Sequence, residues 1–438
     1  MLNWVWLGLI LGGLVYAGFT GHMQAVTDEI YASARGAVDL VFGLVGIMVF
    51  LLGLMRVARD GGLLRWVARL IAPLLRRLFP EVPADHPAMG AMLLNFTANI
   101  FGLGNAATPF GLKAMVELDR LNPFKGVASN AMVLFLAINT SAITLMPPTG
   151  TVAVRAAAGS ADPFGIWIPT LIATICSTFA AVTAFYLLRG RPRFAAKPLA
   201  GEPEPSTGAD TADLPDTEEL LGGPSREPLE SWRKLLVAGI ALAALAGLGV
   251  DFARLVHEQA AADAIRELLR AWLLPTLVGA LLLVGLAGRV RVYESAVAGA
   301  REGLEVAVRI VPYLVAILVA VGIFRASGAL DVLIRALDPL TSAMGIPAEV
   351  LPMAILRPLS GSGAFGVMAE ILETYGPDSF AGYLSSTLMG STETTFYVLT
   401  LYCGAAGIRD VRHALAACLI GDLGGLIGAT AACHLFFG

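Results

Sequence analysis

Residues 34–74 read ARGAVDLVFGLVGIMVFLLGLMRVARDGGLLRWVARLIAPL, and residues 300–340 read AREGLEVAVRIVPYLVAILVAVGIFRASGALDVLIRALDPL. Each contains an apolar stretch close to the roughly 20 residues that a helix needs to cross about 30 Å of hydrocarbon. Aligned without gaps, eleven of the 41 positions are identical. Among them Arg35, Arg59, Gly62, Arg69 and Pro73 meet Arg301, Arg325, Gly328, Arg335 and Pro339. These matches weigh more than the shared aliphatics, because any two membrane helices share Leu and Val. The chain therefore crosses a bilayer, and it does so on an internally repeated plan.

The composition agrees. Of 438 residues 56% are hydrophobic and only 15% charged, against about 25% charged in an ordinary soluble domain. Mean hydropathy is +0.73. Apolar helices are expected near 4–20, 37–56, 124–146, 165–188, 233–250, 271–288, 309–325, 380–402 and 411–436. Shorter pieces near 61–79, 88–118, 328–342 and 347–372 carry Gly, Pro and Asn. They read as in-plane, re-entrant or broken helices, which survive at membrane depth only where protein or a wet cavity satisfies their backbone. Strong period-2 alternation is absent, so a helical bundle is expected rather than a β-barrel. The expected class is an all-α polytopic membrane protein with two related, inverted helical repeats.

Net charge is −4, which provides no basic field for nucleic acid. Cys176, Cys403, Cys418 and Cys433 form no C-x-x-C pair and lie in apolar stretches. They read as small hydrophobes, not as a disulfide framework or a zinc site. The hydrophobic segment Met1 to Phe19 lacks a basic n-region and a small-residue cleavage site, so it reads as a retained first span in a bacterial inner membrane.

Residues 189–231 differ from the rest. They are rich in Pro, Glu, Asp, Gly and Ser and include GEPEPSTGADTADLPDTEE. Such a segment cannot bury a core and reads as a disordered cytoplasmic linker. It separates a membrane half at 1–188 from another at 232–438. Arg56, Arg59, Arg65, Arg69, Arg76 and Arg77 follow the second span. Arg189, Arg191, Arg193 and Lys197 open the linker, Arg233 and Lys234 close it, and Arg289 and Arg291 follow the sixth long span. The positive-inside rule places all of these in the cytoplasm and the amphipathic stretch 251–270 outside. The first repeat then starts outside and the second inside. Inverted repeats around a midplane site are a common plan for secondary transporters.

The repeat continues at shorter offsets. Asn105 lies opposite Ser360, Phe110-Gly111 opposite Phe365-Gly366, and Asn139-Thr140-Ser141 opposite Glu393-Thr394-Thr395. The last two triplets are the principal candidate site. Glu393 lies with Ser391, Thr394 and Thr395 inside an otherwise apolar stretch, where a bare carboxylate is costly and usually faces a cavity, pairs, or carries function. The competing reading is a structural glutamate neutralised by burial or by a nearby Arg. Asn139, Thr140 and Ser141 offer donors and acceptors without charge, or else serve as interhelical glue. Pro147 and Pro148 must break the helix that follows.

Asn95, Asn99 and Asn105 precede Pro109. Asn95 and Asn99 share one helix face, and the glycines and proline beyond them open the backbone. Ser360 and Ser362 occupy the corresponding break after Arg357-Pro358, where helix N-terminal amides suit a polar or anionic ligand; close packing through small residues is the plainer reading. Gly361 to Gly366 also fits G-x-G-x-x-G, but no βαβ unit surrounds it. Asp422 reads as a proton or cation site beside Glu393, or as the partner of a buried Arg. No zinc motif, Walker loop or nucleophile elbow is present, so neither an enzyme nor a cofactor is expected.

Asn95-Phe-Thr-Ala-Asn-Ile-Phe-Gly-Leu-Gly-Asn-Ala-Ala-Thr-Pro109 and Asn130 to Ser141 resemble spore maturation protein A. Leu356-Arg-Pro-Leu-Ser-Gly-Ser-Gly-Ala364 and Gly390-Ser-Thr-Glu-Thr-Thr-Phe-Tyr397 resemble spore maturation protein B. The resemblance covers nearly all the chain except the linker and implies a fused A–B protein. Both families contain the nucleoside recognition, or Gate, domain, which is also associated with concentrative nucleoside transporters and the membrane part of ferrous iron transporters. The resemblance implies transport-like architecture in an inner membrane. In sporulating bacteria the separate proteins are linked to spore core dehydration.

The leading expectation is a secondary transporter or permease for a small polar solute, nucleoside-like or ionic, working by alternating access. Its partners would be the lipid bilayer, the solute and a coupling proton or cation bound at Glu393 and Asp422, with homo-oligomerisation permitted. The alternative is a non-transporting membrane factor for envelope or spore maturation that acts through partner proteins.

Overall fold

The computed structural model describes residues 2–102, 107–141, 143–146, 148–196, 231–258, 261–332, 335–336 and 345–437. Most of the expected linker, and Asn105 with it, lies outside the described residues. Among the described residues there is no β-strand; an isolated bridge joins Val127 and Asp410. The helices are α1 (Leu2–Thr20), α2 (Met23–Asp60), α3 (Leu63–Leu78), α4 (Pro87–Ile100), α5 (Thr108–Arg120), α6 (Asn130–Thr140), α7 (Thr149–Ala157) and α8 (Trp167–Leu188). They continue as α9 (Ser231–Glu258), α10 (Ala261–Ala287), α11 (Val292–Ala326), α12 (Leu351–Leu356), α13 (Gly361–Tyr375), α14 (Phe380–Ser391), α15 (Thr395–Ala405) and α16 (Ala414–Phe437).

Met23–Asp60, Trp167–Leu188, Leu235–Glu258 and Ala414–Phe437 are long and apolar enough to cross a membrane. Shorter apolar helices accompany them, among them Trp6–Thr20 and Leu274–Ala287. Large apolar side chains such as Phe19, Phe42, Phe179 and Leu187 stand exposed, as hydrocarbon rather than water requires. The protein is a multi-pass helical membrane protein. Helix α3 is amphipathic: Trp66, Leu70 and Leu74 form an exposed apolar stripe at i, i+4, i+8, and Arg65, Arg69, Arg76 and Arg77 share the same short helix. That pattern suits a helix lying in the membrane interface.

Of the expected spans, one is shorter than expected and one is two helices. The first, 124–146, ends at Thr140, and α7 starts only at Thr149. Thr140 and Ser141 hydroxyls bond back to Ala137 O at 3.1 and 2.8 Å, and Pro148 has no N–H to continue the ladder. The second, 380–402, breaks at Thr392 to Thr394, with Thr392 fully extended at φ −143°, ψ 164°. There the chain bonds elsewhere: the Glu393 amide donates to Thr140 O at 2.7 Å, and the Phe396 amide donates to Pro358 O at 3.0 Å.

The two halves follow one order: a long helix, two broken helix pairs, a long helix. Helices α4–α5, α6–α7 and α8 in the first half correspond to α12–α13, α14–α15 and α16 in the second. Both α6 and α14 start on a serine cap; Ser129 accepts from the Met132 amide and Ser379 from the Gly382 amide, each satisfying an otherwise orphaned donor. The matched glycines Gly62 and Gly328 both adopt a left-handed conformation, φ 85° and 83°, which glycine takes without a Cβ penalty.

The chain divides into two compact units. One comprises Met1–Leu44, Ala72–Leu214 and Ala307–Gly438. Within it α8 and α16 run antiparallel in close contact: a Cβ on Gly424 would lie 2.5 Å from Ala180 Cβ, and one on Gly428 2.6 Å from Cys176 Cβ. Small residues at such spacing let membrane helices approach closely. Ser177 Oγ also donates to Gly421 O at 2.8 Å. The start of α2 lies against the end of α11, where a Cβ on Gly322 would clash with Ser33 Oγ. Arg325 Nη2 there binds Glu29 Oε1 at 2.9 Å.

The other unit comprises Val45–Ile71 and Pro215–Val306. In it the end of α2 runs antiparallel to the start of α11. A Cβ on Gly53 would meet Ala296 O at 2.8 Å, and one on Gly303 would meet Val49 Cα at 2.9 Å. Arg59 Nη2 binds Glu302 Oε1 at 3.2 Å. The repeat-matched arginines Arg59 and Arg325 therefore each pair with a carboxylate on the opposite matched helix. Helix α9 packs on α10, with Trp272 Nε1 donating to Asp251 Oδ2 at 2.7 Å.

Candidate functional site

The four broken pairs meet in the first unit. Helix α4 ends where Gly102 turns left-handed, φ 65°, and its amide donates to Asn99 O at 2.8 Å. Asn95 is fully buried on this helix. Its Nδ2 donates across the break to Ala107 O at 2.8 Å and to Tyr402 Oη at 3.3 Å, from α15. Gly111 makes that approach possible, since a Cβ there would clash with the Tyr402 hydroxyl. Asn95 Oδ1 is buried with no hydrogen-bond partner among the described residues.

Asn99 Nδ2 donates to Asn139 Oδ1 at 2.9 Å, and Asn139 Nδ2 donates to Phe135 O at 3.2 Å. Two carboxamides thus join the ends of α4 and α6 without charge. Thr140, beside them, accepts the Glu393 amide. The Thr392–Thr394 break of one half therefore lies directly on the α6 terminus of the other. Ser141 O accepts from Thr178 Oγ1 of α8 at 2.5 Å.

The second half supplies charge at the matching place. Arg357 follows α12 and is buried. Its Nη1 donates to Thr394 Oγ1 at 3.2 Å, its Nη2 donates to Thr392 O, and Nη2 lies 3.9 Å from Glu393 Oε2. The Glu393 side chain is 45% exposed while Arg357 is 8% exposed, so the acid faces the accessible side and the guanidinium stands behind it. Thr395 Oγ1 donates to Asp422 Oδ2 of α16 at 2.7 Å. Asp422 Oδ1 is buried and unpartnered among the described residues. An isolated charge or orphaned acceptor at this depth is costly, and one guanidinium stands among two carboxylates.

The remaining sequence candidates have local roles. Ser360 caps α13 by accepting the Gly363 amide at 3.0 Å, while Ser362 is exposed beside it, Oγ to Oγ 3.5 Å. Ser391 bonds back to Leu388 O at 2.9 Å. Sequence reasoning gave no role to Arg357 or Tyr402. An arginine inside an apolar run, next to a proline, was the signal available for the first; nothing in the sequence pointed to the second.

Two further clamps close the ends of the broken pairs. Arg155 of α7 is fully buried. It binds Pro377 O at 2.7 Å and Asp378 Oδ1 at 3.0 Å, and it lies 4.4 Å over the Tyr383 ring. Burial alone would push the Asp378 carboxyl up, but bonds from Ser160 and the Ala161 amide, with the Arg155 charge, hold it below its usual range. After α15, Arg412 binds Ala128 O and Asn130 Oδ1, both at 3.0 Å. Each clamp ties the start of one half's broken pair to the end of the other's.

Comparison with known proteins matches this core. The model of the Gate family, described as nucleoside recognition, covers residues 41–159 and 307–409. Spore maturation protein A of Bacillus subtilis is 46% identical over 182 residues, which is 42% of this chain and 92% of that protein. Spore maturation protein B of the same organism is 48% identical over 166 residues, 38% of this chain and 93% of that protein. Among solved structures, the YdaH transporter of Alcanivorax borkumensis aligns over 99% of this chain and 96% of its own, at 15% identity and a TM-score of 0.38. The chain belongs to the Gate, or nucleoside recognition, family, as a fusion of a spore maturation protein A and a spore maturation protein B.

Proposed function

We propose that the protein is a secondary transporter or permease that moves a small polar solute across a bacterial inner membrane by alternating access. The observation that carries this reading is the crossing of the two chain breaks. Glu393 stands half-exposed there, its amide bound to Thr140 of the other half and its carboxylate 3.9 Å from buried Arg357. Irregular backbone and ionisable groups at membrane depth belong where they line a cavity. The antiparallel course of the matched helices α2 with α11, and α8 with α16, supports inverted repeats around that crossing. In this reading residues 1–188 and 232–438 are the two related halves and 189–231 the cytoplasmic linker. Asn99, Asn139, Thr394 and Glu393 face the solute, and Glu393 with Asp422 couples a proton or cation.

Uptake into proteoliposomes tests it, with nucleosides, inorganic cations and dipicolinate-like anions as first solutes. Glu393→Gln, at a side chain open to the accessible side, is expected to leave the fold intact and to abolish coupled uptake. Normal coupled uptake in that variant removes the coupling role. The names of the Bacillus subtilis relatives favour a second reading, a non-transporting maturation factor. In that case substitutions at Asn139 and Glu393 are silent, while changes on exposed loops are damaging.

A further inference from the structure

A second buried ionisable group has no part in the crossing. Glu370 of α13 is 5% exposed. Its Oε1 lies 3.1 Å from Arg325 Nε and accepts from Thr374 Oγ1 at 3.2 Å. Arg325 is shared, because its Nη2 also binds Glu29 Oε1 at 2.9 Å. Glu373 adds a third carboxylate, with Oε1 3.2 Å from the place a Cβ on Gly36 would take. Among the described residues Arg325 is thus shared by Glu29 and Glu370, with Glu373 nearby.

Glu370 and Glu349 line a cavity of about 180 Å³. Its other walls are almost wholly apolar and include Leu9, Val321, Phe324, Ile355, Leu356 and Val367. A dry apolar cavity of about 150 Å³ accepts a benzene-sized body, so this one has room for a short alkyl chain or a ring. Ile355, which also lines it, is 59% exposed. A carboxylate that is only partly compensated, at the end of an apolar slot, fits one kind of guest. An anion is repelled, a neutral chain leaves the charge as it was, and an ammonium supplies the missing cation through a charge-assisted hydrogen bond.

We infer that this cavity binds an amphipathic amine drawn from the bilayer, with its alkyl body against Phe324 and Leu356 and its ammonium on Glu370. The site is separate from the Arg357–Glu393 crossing and does not depend on transport.

The full chain in phospholipid nanodiscs, titrated with octylamine, octan-1-ol and octanoate while Tm is followed, tests the inference. Octylamine raises Tm with half-saturation at about tenfold lower concentration than octan-1-ol, the size of one charge-assisted hydrogen bond. Octanoate raises it least. Glu370→Gln removes the preference for amine over alcohol and keeps the response to the alcohol. If that variant does not yield folded protein, Glu349→Gln is read in its place and is expected to reduce the preference about threefold. Equal half-saturation for amine and alcohol in the wild-type chain, or an unchanged preference in the folded variant, overturns the inference.

Discussion

The two crossings occupy corresponding places in the repeat and are built from opposite chemistry. In the first half, Asn99 and Asn139 join two helix ends through a neutral carboxamide pair. In the second half, Arg357 joins the corresponding ends by holding Thr392 and Thr394, with Glu393 and Asp422 around it. Similar helix-end geometry is present at both, with the charge on one side alone. The first crossing is held by neutral amides, and the second carries the guanidinium and the carboxylates. A site assembled from both has one copy of each property rather than two of either.

The largest effect should follow from breaking the charged crossing. Arg357→Met removes the donor to Thr392 O and Thr394 Oγ1 together with the cation beside half-exposed Glu393, and each buried acceptor left without its donor costs about 1–3 kcal/mol. Asn139→Leu, at the neutral crossing, should cost about 1 kcal/mol, the scale of one interhelical hydrogen bond. Denaturant unfolding of both variants in one detergent measures the contrast. Equal costs would mean that the two crossings are mechanically alike, whatever their charge.

A smaller effect sharpens the relation between the halves where they pack. Helix α16 contributes the glycines and α8 the Ala, Ser and Cys that face them. A Cβ on Gly424 would sit 2.5 Å from Ala180 Cβ, so Gly424→Ala overpacks the seam and should cost about 1–3 kcal/mol. Ala180→Gly in the same chain should recover part of that loss. Failure of Ala180→Gly to recover any would show that the seam yields elsewhere than at this pair.

Much of this architecture was legible in the sequence. Gly62 and Gly328, matched by register alone, proved to share the same left-handed backbone, and Pro147-Pro148 announced the break before α7. The break at Thr392 to Thr394 was not legible, because no Gly or Pro marks it. Its extended backbone is sustained by acceptors at Thr140 and Pro358, far away in sequence, and long-range partners leave no local pattern. Glu393 was found because a charge in an apolar run is conspicuous in one dimension. Arg357 was equally charged but sat beside a proline and serines, where the backbone drew attention first. Tyr402 could not be found, since an aromatic in an apolar helix looks the same whether it packs or, as here, reaches Asn95 through the gap left by Gly111.

The smallest effect is the coupling inside the neutral crossing. Asn99→Ala, Asn139→Ala and the double variant close a thermodynamic cycle that isolates the 2.9 Å bond between the two carboxamides. Hydrogen bonds between membrane helices measured this way average about 0.6 kcal/mol and reach about 1.7, because each amide finds another partner when the bond is removed. Asn139 already has one in Phe135 O, at 3.2 Å, so the coupling should fall near the low end of that range. A bond of that strength fixes the register of α4 against α6 while allowing the contact to part. A coupling above about 2 kcal/mol would instead make Asn99 and Asn139 a rigid lock, and any movement of the site would then have to pass through the charged half, where Arg357 holds the Thr392–Thr394 break.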